Sequence, residues 1–105
     1  MSRMYILVRK DLPKTWIPVQ ASHAVAEYLM WAEEEKKVNG WGNGVMVILA
    51  VENESDLNWW YDQLSQLDKD TDRFMESYPK PHYTALACIL DKEQKNILKD
   101  LELIS

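Results

Sequence analysis

The sequence contains a single cysteine, Cys88, and no long apolar run. One cysteine excludes an internal disulfide framework, and a membrane-spanning helix needs about 20 consecutive apolar residues, which the chain never provides. A leader with a charged start followed by an apolar stretch is not evident either. We therefore expect a protein of a reducing compartment, located in the cytoplasm and without a membrane partner.

Basic charge is also scarce, since 12 Lys and Arg residues stand against 17 Asp and Glu residues and give a formal net charge of -5. Proteins that bind nucleic acid over a broad surface place many Lys or Arg side chains at phosphates. The acidic balance argues against that mode of binding. Any polyanion partner is then expected to be held at one local site.

The chain does have the length and apolar content for one core, with 105 residues of which 47% are hydrophobic. We expect one domain spanning residues 1–105. Apolar periodicity, capping residues and proline positions predict its elements. They are a strand Met4–Arg9, a helix from about Pro18 to Lys37, a strand Val45–Val51, a helix capped by Ser55 that reaches Leu67, a short strand around Arg73–Tyr78, a strand Tyr83–Leu90, and a closing helix that begins with an Asp91 and Gln94 capping box.

The order of these elements predicts an α/β fold. Strands that alternate with helices favour right-handed crossovers and a largely parallel sheet covered by helices on both faces. In such sheets, ligands bind beyond the carboxyl ends of the strands. That rule places the loop Lys10–Trp16 and the first turn of the first helix at the expected site.

All three glycines lie in one segment, Gly40–Gly44, directly before a predicted strand. A glycine loop that cradles phosphate follows a strand and opens a helix, so this context is the wrong one. We interpret the segment as a flexible connection.

The start of the first helix is a candidate anion site. The backbone N–H groups of Val19, Gln20 and Ala21 are expected to lack helical partners, and the positive end of the helix dipole points the same way. Arg9, Lys10 and Lys14 are close in sequence. A localised phosphate or carboxylate site is therefore compatible with an acidic protein.

A second stripe on this helix is polar and includes Gln20, His23 and Glu27. It brings Gln20 and His23 together over the helix start, although a histidine there is also typical of a packing or capping role. Glu76, Asp72 and Thr84 are further candidates to flank the same crevice. Ordinary surface carboxylates and a plain strand threonine are the alternatives for these three. The His and Cys residues lack zinc-like spacing, so no metal is expected.

Two segments near the amino terminus form a recognisable pair: Tyr5-Ile-Leu-Val-Arg-Lys-Asp-Leu12 and Ile17-Pro-Val-Gln-Ala-Ser-His-Ala24. Together they resemble the signature of the type II peptidyl-tRNA hydrolases, the archaeal and eukaryotic kind, in which a strand ending in Arg-x-Asp-Leu leads into a helix reading Lys-Ile-Ala-Ala-Gln-Cys-Ser-His-Ala. Later segments, Tyr83–Ala87 and Ile97–Ile104, are similar to that family's late strand and closing segment. The resemblance covers nearly the whole chain in the right order.

The resemblance implies a three-layer α/β/α sandwich on a four-stranded mixed, mostly parallel sheet, often dimeric, that hydrolyses the ester between a peptidyl or N-blocked aminoacyl group and the 3′ end of tRNA. No cofactor or metal is implied. Gln20, Ser22 and His23 match the motif's Gln, Ser and His. Thr84 matches a threonine of the family's site, and Glu76 falls where some relatives carry Glu-Pro-Asp.

The sequence departs from the family at two places. Trp16 stands where the family has a lysine, and Ser77–Pro81 replaces an acidic, glycine-containing segment. We predict Gln20, His23, Glu76 and Thr84 as the catalytic group. We predict Trp16, Ser22 and the two lysines Lys10 and Lys14 as substrate-binding residues, with Lys14 in the role of the missing lysine.

Two other functions remain open. The same fold without the chemistry would be a binding module for RNA or a protein partner, in which Trp16 stacks on a base or grips a peptide. An enzyme acting on an unrelated small acyl substrate is the third possibility.

Overall fold

The structure is a computed structural model and describes residues 2–104. It is a small α/β domain with a four-stranded mixed sheet and three α-helices in this part of the chain. The elements are β1 (Arg3–Arg9), α1 (Ile17–Trp31), α2 (Glu35–Trp41), β2 (Met46–Val51), α3 (Glu54–Ser65), β3 (Asp72–Glu76), β4 (His82–Leu90) and a 3₁₀ turn (Lys95–Leu98).

The sheet has the strand order β2-β1-β4-β3. Only β1 and β2 are parallel, whereas β4 runs antiparallel to both β1 and β3. The prediction of a mostly parallel sheet is therefore wrong. The cause is the connection between the last two strands, because β3 and β4 form a hairpin that inserts β4 beside β1 in the opposite direction.

Alternation along β1 assigns its side chains to two cores, one on each face of the sheet. Even positions such as Met4 and Ile6 pack with α1 and α2, and odd positions such as Tyr5 and Leu7 pack with α3 and the 3₁₀ turn. Helices thus cover both faces, as predicted. Among residues 2–104, no helix is both long and apolar enough to cross a membrane.

The first helix is shorter than the predicted range that reached Lys37. It ends at Trp31, because Ala32 adopts an extended backbone with φ -62° and ψ 130°. A tertiary contact holds this break, since the backbone N–H of Glu34 donates to a carboxylate oxygen of Asp70 at 3.0 Å. The helical charge pattern continues into α2, but the chain changes direction between the two helices.

The glycine segment, which we interpreted as a flexible connection, contains a residue that is anchored in the core. Trp41 ends α2 and is buried in the core beneath α1, where its indole N–H donates to the carbonyl of Val45 at 2.9 Å. Gly42 follows with a φ of 56°, the left-handed conformation that terminates a helix without a Cβ penalty. The segment therefore anchors the start of β2 to the core.

A buried carboxylate, Asp68, ties three elements together. It accepts hydrogen bonds from the Tyr28 hydroxyl at 2.8 Å, the Ile89 backbone N–H at 2.8 Å and the Lys37 ammonium at 3.4 Å. Burial, followed by the bond to Asp68, raises the pKa of Tyr28 well above its ordinary value. The sequence shows Asp68 only as the start of a polar break, whereas the structure makes it the junction of α1, α2 and β4.

The remaining differences concern element ends. Asn53, not Ser55, caps α3, because its side-chain oxygen accepts the Asp56 N–H at 2.9 Å. The Asp91 and Gln94 capping box forms both of its bonds, at 3.1 and 3.0 Å, but leads only into the 3₁₀ turn. Strands β2, β3 and β4 begin within one residue of their predicted starts, and β3 ends two residues early at Glu76.

Candidate functional site

Helix α1 and the edge strand β3 meet along a mostly polar line that we call the α1–β3 seam. Residues at helical spacing on α1 face alternate residues on β3, because positions i, i+3 and i+7 share a helix face and positions i and i+2 share a strand face. The seam contains three facing pairs: Gln20 with Glu76, His23 with Phe74, and Glu27 with Asp72. The second stripe predicted from the sequence is therefore the helical half of this seam.

The amide of Gln20 is the centre of the first pair. Its side chain is buried, with an exposed fraction of 3%. Nε2 of Gln20 donates to Oε1 of Glu76 at 2.8 Å. Oε1 of Gln20 accepts the hydroxyl proton of Thr84 at 2.6 Å. Because the two partners need opposite ends of the amide, they fix its orientation. Gln20, Glu76 and Thr84, which the sequence predicted to share a site, are thus in direct contact.

A bulge in β4 aims Thr84 at Gln20. Phe74 pairs with Ala85, but the next residue, Met75, pairs with Tyr83, so Thr84 has no partner opposite it in the ladder. An extra residue of this kind bends a strand and redirects its side chain. Regular alternation would turn Thr84 away from α1, whereas the bulge turns its hydroxyl toward the helix.

The carboxylate of Glu76 is held by donors from two directions. Besides Gln20, the backbone N–H of Tyr78 donates to Oε2 at 3.1 Å. The Gln20 bond, then the Tyr78 bond, lowers the pKa of Glu76 below its ordinary value of 4.5, with a smaller contribution from the charge of His23. Glu76 is therefore ionised at neutral pH.

A cleft of about 250 Å³ opens above this group. Two aromatic side chains flank it, with the ring centroids of Trp16 and Tyr78 6.2 Å apart and the ring planes inclined by 46°. Its lining consists of Thr15, Trp16, Val19, Gln20, Glu76 and Tyr78. The cleft thus combines an aromatic rim with a polar floor.

His23 lies one helical turn beyond Gln20 and is exposed. Its ring stacks on Phe74 with a centroid distance of 4.6 Å and an interplanar angle of 10°. The side chain is therefore outside the hydrophobic interior and near enough to Glu76 to influence that carboxylate's pKa.

The predicted seat of unpaired amides at the helix start is wrong at Gln20, one of the three amides that were expected to form it. The backbone N–H of Gln20 donates to the carbonyl of Trp16 at 2.9 Å, and that of Ile17 donates to Lys14 at 3.3 Å. The chain before and at the start of the helix supplies these carbonyls, so the amides of Ile17 and Gln20 are not free donors for a ligand.

Three predicted binding residues lie away from the cleft. The Lys10 ammonium pairs with Glu52 at 2.9 Å, and Lys14 lines a separate apolar groove with Ile17 and Pro18. The Ser22 hydroxyl donates to the Pro18 carbonyl at 2.7 Å. Lys10, Lys14 and Ser22 therefore do not line the cleft, and Trp16 is the predicted binding residue that does.

The sequence reading missed Tyr78 and the group that holds its loop. Arg9 binds Asp11 through two bonds, at 2.9 and 3.0 Å, and donates to Nδ1 of His82 at 3.0 Å. Nε2 of His82 lies 3.0 Å from the carbonyl of Tyr78, which only accepts, so Nε2 carries the proton and Nδ1 accepts from Arg9. In the sequence, only the Arg-x-Asp motif of Arg9 and Asp11 indicated this cluster of Arg9, Asp11 and His82.

The last pair of the seam consists of two carboxyl groups. Burial, followed by the neighbouring Glu27, raises the pKa of Asp72 to about 7. Oδ2 of Asp72 is buried and accepts no hydrogen bond from the residues between 2 and 104. Burial and the like charge of Glu27 therefore favour the protonated form of Asp72. Within the same range, no cluster of three or more His, Cys, Asp or Glu side chains is arranged for a metal ion.

Comparison with known proteins supports the fold but gives no information on the function of the site. No protein-family model matches the sequence, and no curated protein matches it. The structure is similar to that of a protein of unknown function from Agrobacterium tumefaciens strain C58, with a TM-score of 0.59 and 14% sequence identity over 99% of this chain and 98% of that chain. At this identity the likeness shows a shared fold and nothing of the chemistry.

Proposed function

We propose that the cleft hydrolyses an acyl ester at the 3′ end of an RNA, the chemistry of the type II peptidyl-tRNA hydrolases that the sequence resembles, on that family's α/β/α sandwich. The observation that carries this proposal is the Thr84–Gln20–Glu76 hydrogen-bond chain, which ends in an ionised carboxylate on the floor of the cleft. These three residues, which the resemblance assigns to the family's site, form one contiguous group.

The geometry suits water attack on an activated ester. Gln20 and Tyr78 occupy one acceptor site on each oxygen of Glu76, and one of the two remaining lone pairs can orient a water molecule toward the acyl carbon. The second N–H of the Gln20 amide is the group available to stabilise negative charge on the acyl oxygen. In this proposal His23, exposed on the next turn of α1, returns a proton to the departing ribose oxygen.

The aromatic rim supports a nucleoside as the leaving group. Trp16 and Tyr78 present ring faces to which a base can stack, a contact worth about 1–3 kcal/mol per base. The volume of about 250 Å³ is below the roughly 300–1,000 Å³ of pockets that enclose a whole drug-sized ligand. The cleft therefore fits one end of a larger molecule, such as an RNA 3′ terminus.

The test is deacylation of aminoacylated and N-blocked aminoacyl-tRNA by the purified protein. The wild type is expected to release the acyl group above the spontaneous rate, and Glu76→Gln to reduce the rate about 100-fold or more. Glu33→Gln is the matched control, because Glu33 is exposed and lies beyond the end of α1. No release under conditions in which a type II peptidyl-tRNA hydrolase is active would contradict the proposal.

One observation favours a second candidate, a binding module of the same fold without turnover. None of the six residues that line the cleft is cationic, and the amides of Ile17 and Gln20 are paired. The cleft therefore lacks the positive groups that would neutralise a phosphate or a developing oxyanion. Tight binding of an RNA 3′ end, together with no acyl release in the deacylation assay, would identify the protein as a binding module.

A further inference from the structure

The cleft contains one charged group, the carboxylate of Glu76, and that carboxylate forms no direct ion pair with the residues between 2 and 104. The ion pairs between residues 2 and 104 engage other acids, namely Asp11, Glu34, Glu52 and Asp68. The donors to Glu76 are a neutral side-chain amide and a backbone N–H. The negatively charged carboxylate at the floor of the cleft therefore accepts hydrogen bonds from neutral N–H groups.

The surroundings of this charge favour a cation. Trp16 and Tyr78 flank the same space, and an ammonium group is attracted both to a carboxylate and to an aromatic face. Tyr78, the other titratable residue of the lining, is not cationic. His23 is exposed on the seam, and the guanidinium of Arg9 is occupied by Asp11 and His82. Neither His23 nor Arg9 belongs to the lining, so a ligand that carries its own positive charge complements Glu76 inside the cleft.

We propose that the cleft selects an acyl group with a free, protonated α-amino group, so that its substrate is an unblocked aminoacyl ester rather than a peptidyl or N-blocked one. The identity of the ester and of the nucleoside rests on the proposed function, whereas the preference for the ammonium rests on Glu76 and the aromatic rim. In the reaction, the water oxygen bonds to the acyl carbon and the bond from that carbon to the ribose oxygen breaks. One proton of the water ends on the ribose oxygen, so the products are the free amino acid and the 3′ hydroxyl of the RNA.

The experiment uses two probes that cannot be hydrolysed, 3′-alanylamino-3′-deoxyadenosine and its N-acetylated form, titrated calorimetrically into the full chain. We expect the free amine to bind the wild type about 5- to 30-fold more tightly than the acetylated probe. In Glu76→Gln the two probes are expected to bind equally, while Glu33→Gln keeps the preference. Equal or tighter binding of the acetylated probe to the wild type overturns the proposal, and so does the absence of binding by both probes.

A pH series on the wild type gives a second readout that needs no variant. The preference for the free amine is expected to disappear as pH rises through the amine's pKa, about 8 for an α-amino group. A preference that persists to pH 10 overturns the proposal.

The outcomes also separate this proposal from the proposed function. Selective binding of the amine without deacylation of tRNA keeps the ammonium site and rejects the hydrolase. Deacylation of blocked and unblocked tRNA at equal rates keeps the hydrolase and rejects the selectivity.

Discussion

Thr84 donates its hydroxyl proton to the side-chain oxygen of Gln20 at 2.6 Å, which joins the bulge of β4 to the first turns of α1. Both groups are buried, so each depends on the other for its hydrogen bond. The bond orients the Gln20 amide so that its nitrogen faces Glu76 at 2.8 Å. The position of one hydroxyl therefore determines how the carboxylate at the cleft is held.

Thr84→Val is expected to destabilise the protein by about 1–3 kcal/mol, because the isosteric side chain leaves the oxygen of Gln20 buried and without a donor. A Gln20 amide released from Thr84 no longer holds Glu76 in one position, so deacylation is expected to fall as well. Urea unfolding and the rate of acyl release measure the two effects. Thr84→Ser restores the hydroxyl and is the control, and equal losses in both variants would show that the hydroxyl is irrelevant.

Trp16→Ala is expected to weaken binding of the free-amine adenosine probe by about 10-fold, the loss of one stacked base. Trp59→Ala is the matched control, since Trp59 is an exposed indole on α3, a helix that packs on the opposite face of the sheet. Titration calorimetry of both variants makes the comparison. If the two variants bind the probe equally well, Trp16 does not contribute to the binding site.

Asp72→Asn is expected to remove a pH dependence of stability. The folded-state pKa of Asp72 is raised from 3.8 to about 7, so its stabilising contribution is complete below about pH 4 and is lost as pH rises to about 7. Above that pH we expect the variant to be more stable than the wild type by about 1–2 kcal/mol, a value reduced for the partial exposure of the group. Urea unfolding from pH 4 to 8 tests this, with the exposed Asp62→Asn as control. A wild type whose stability changes with pH no more than that of Asp72→Asn would contradict the raised pKa of Asp72.

Asp68→Ala is expected to cost about 3–5 kcal/mol, since it leaves the Lys37 ammonium, the Tyr28 hydroxyl and the Ile89 N–H without their acceptor. Tyr28→Phe removes one donor and leaves the others in place, so about 1 kcal/mol is expected. Chemical denaturation of both variants measures the difference. Similar small losses in the two would show that Asp68 is not the junction of the three elements.

Local sequence patterns predicted the elements of this fold better than their arrangement. The polar stripe through Gln20, His23 and Glu27 is visible in the helix periodicity, and the structure confirms that these side chains share a face. Their partners could not be predicted, because the location of β3 at the sheet edge depends on the whole topology. The prediction of mostly parallel strands was wrong for the same reason. The sequence does not show that β3 and β4 form a hairpin, which makes β4 antiparallel to β1.

Two errors concern helix ends, where tertiary contacts outweigh local preference. The charge pattern from Glu33 to Lys37 is typical of a continuing helix, but the bond from Glu34 to Asp70 stabilises a break. At the other end, the turn before α1 supplies carbonyls to the amides that local rules leave unpaired. The bulge at Thr84 has no local signal, and it decides the geometry of the site.

The most direct test is a crystal structure of the protein with 3′-alanylamino-3′-deoxyadenosine. We predict density for the adenine against Trp16 and Tyr78, and for the ammonium within hydrogen-bonding distance of the Glu76 carboxylate. A complex in which the probe lies elsewhere, for example in the apolar groove beside Lys14 and Ile17, would contradict the assignment of this cleft as the functional site.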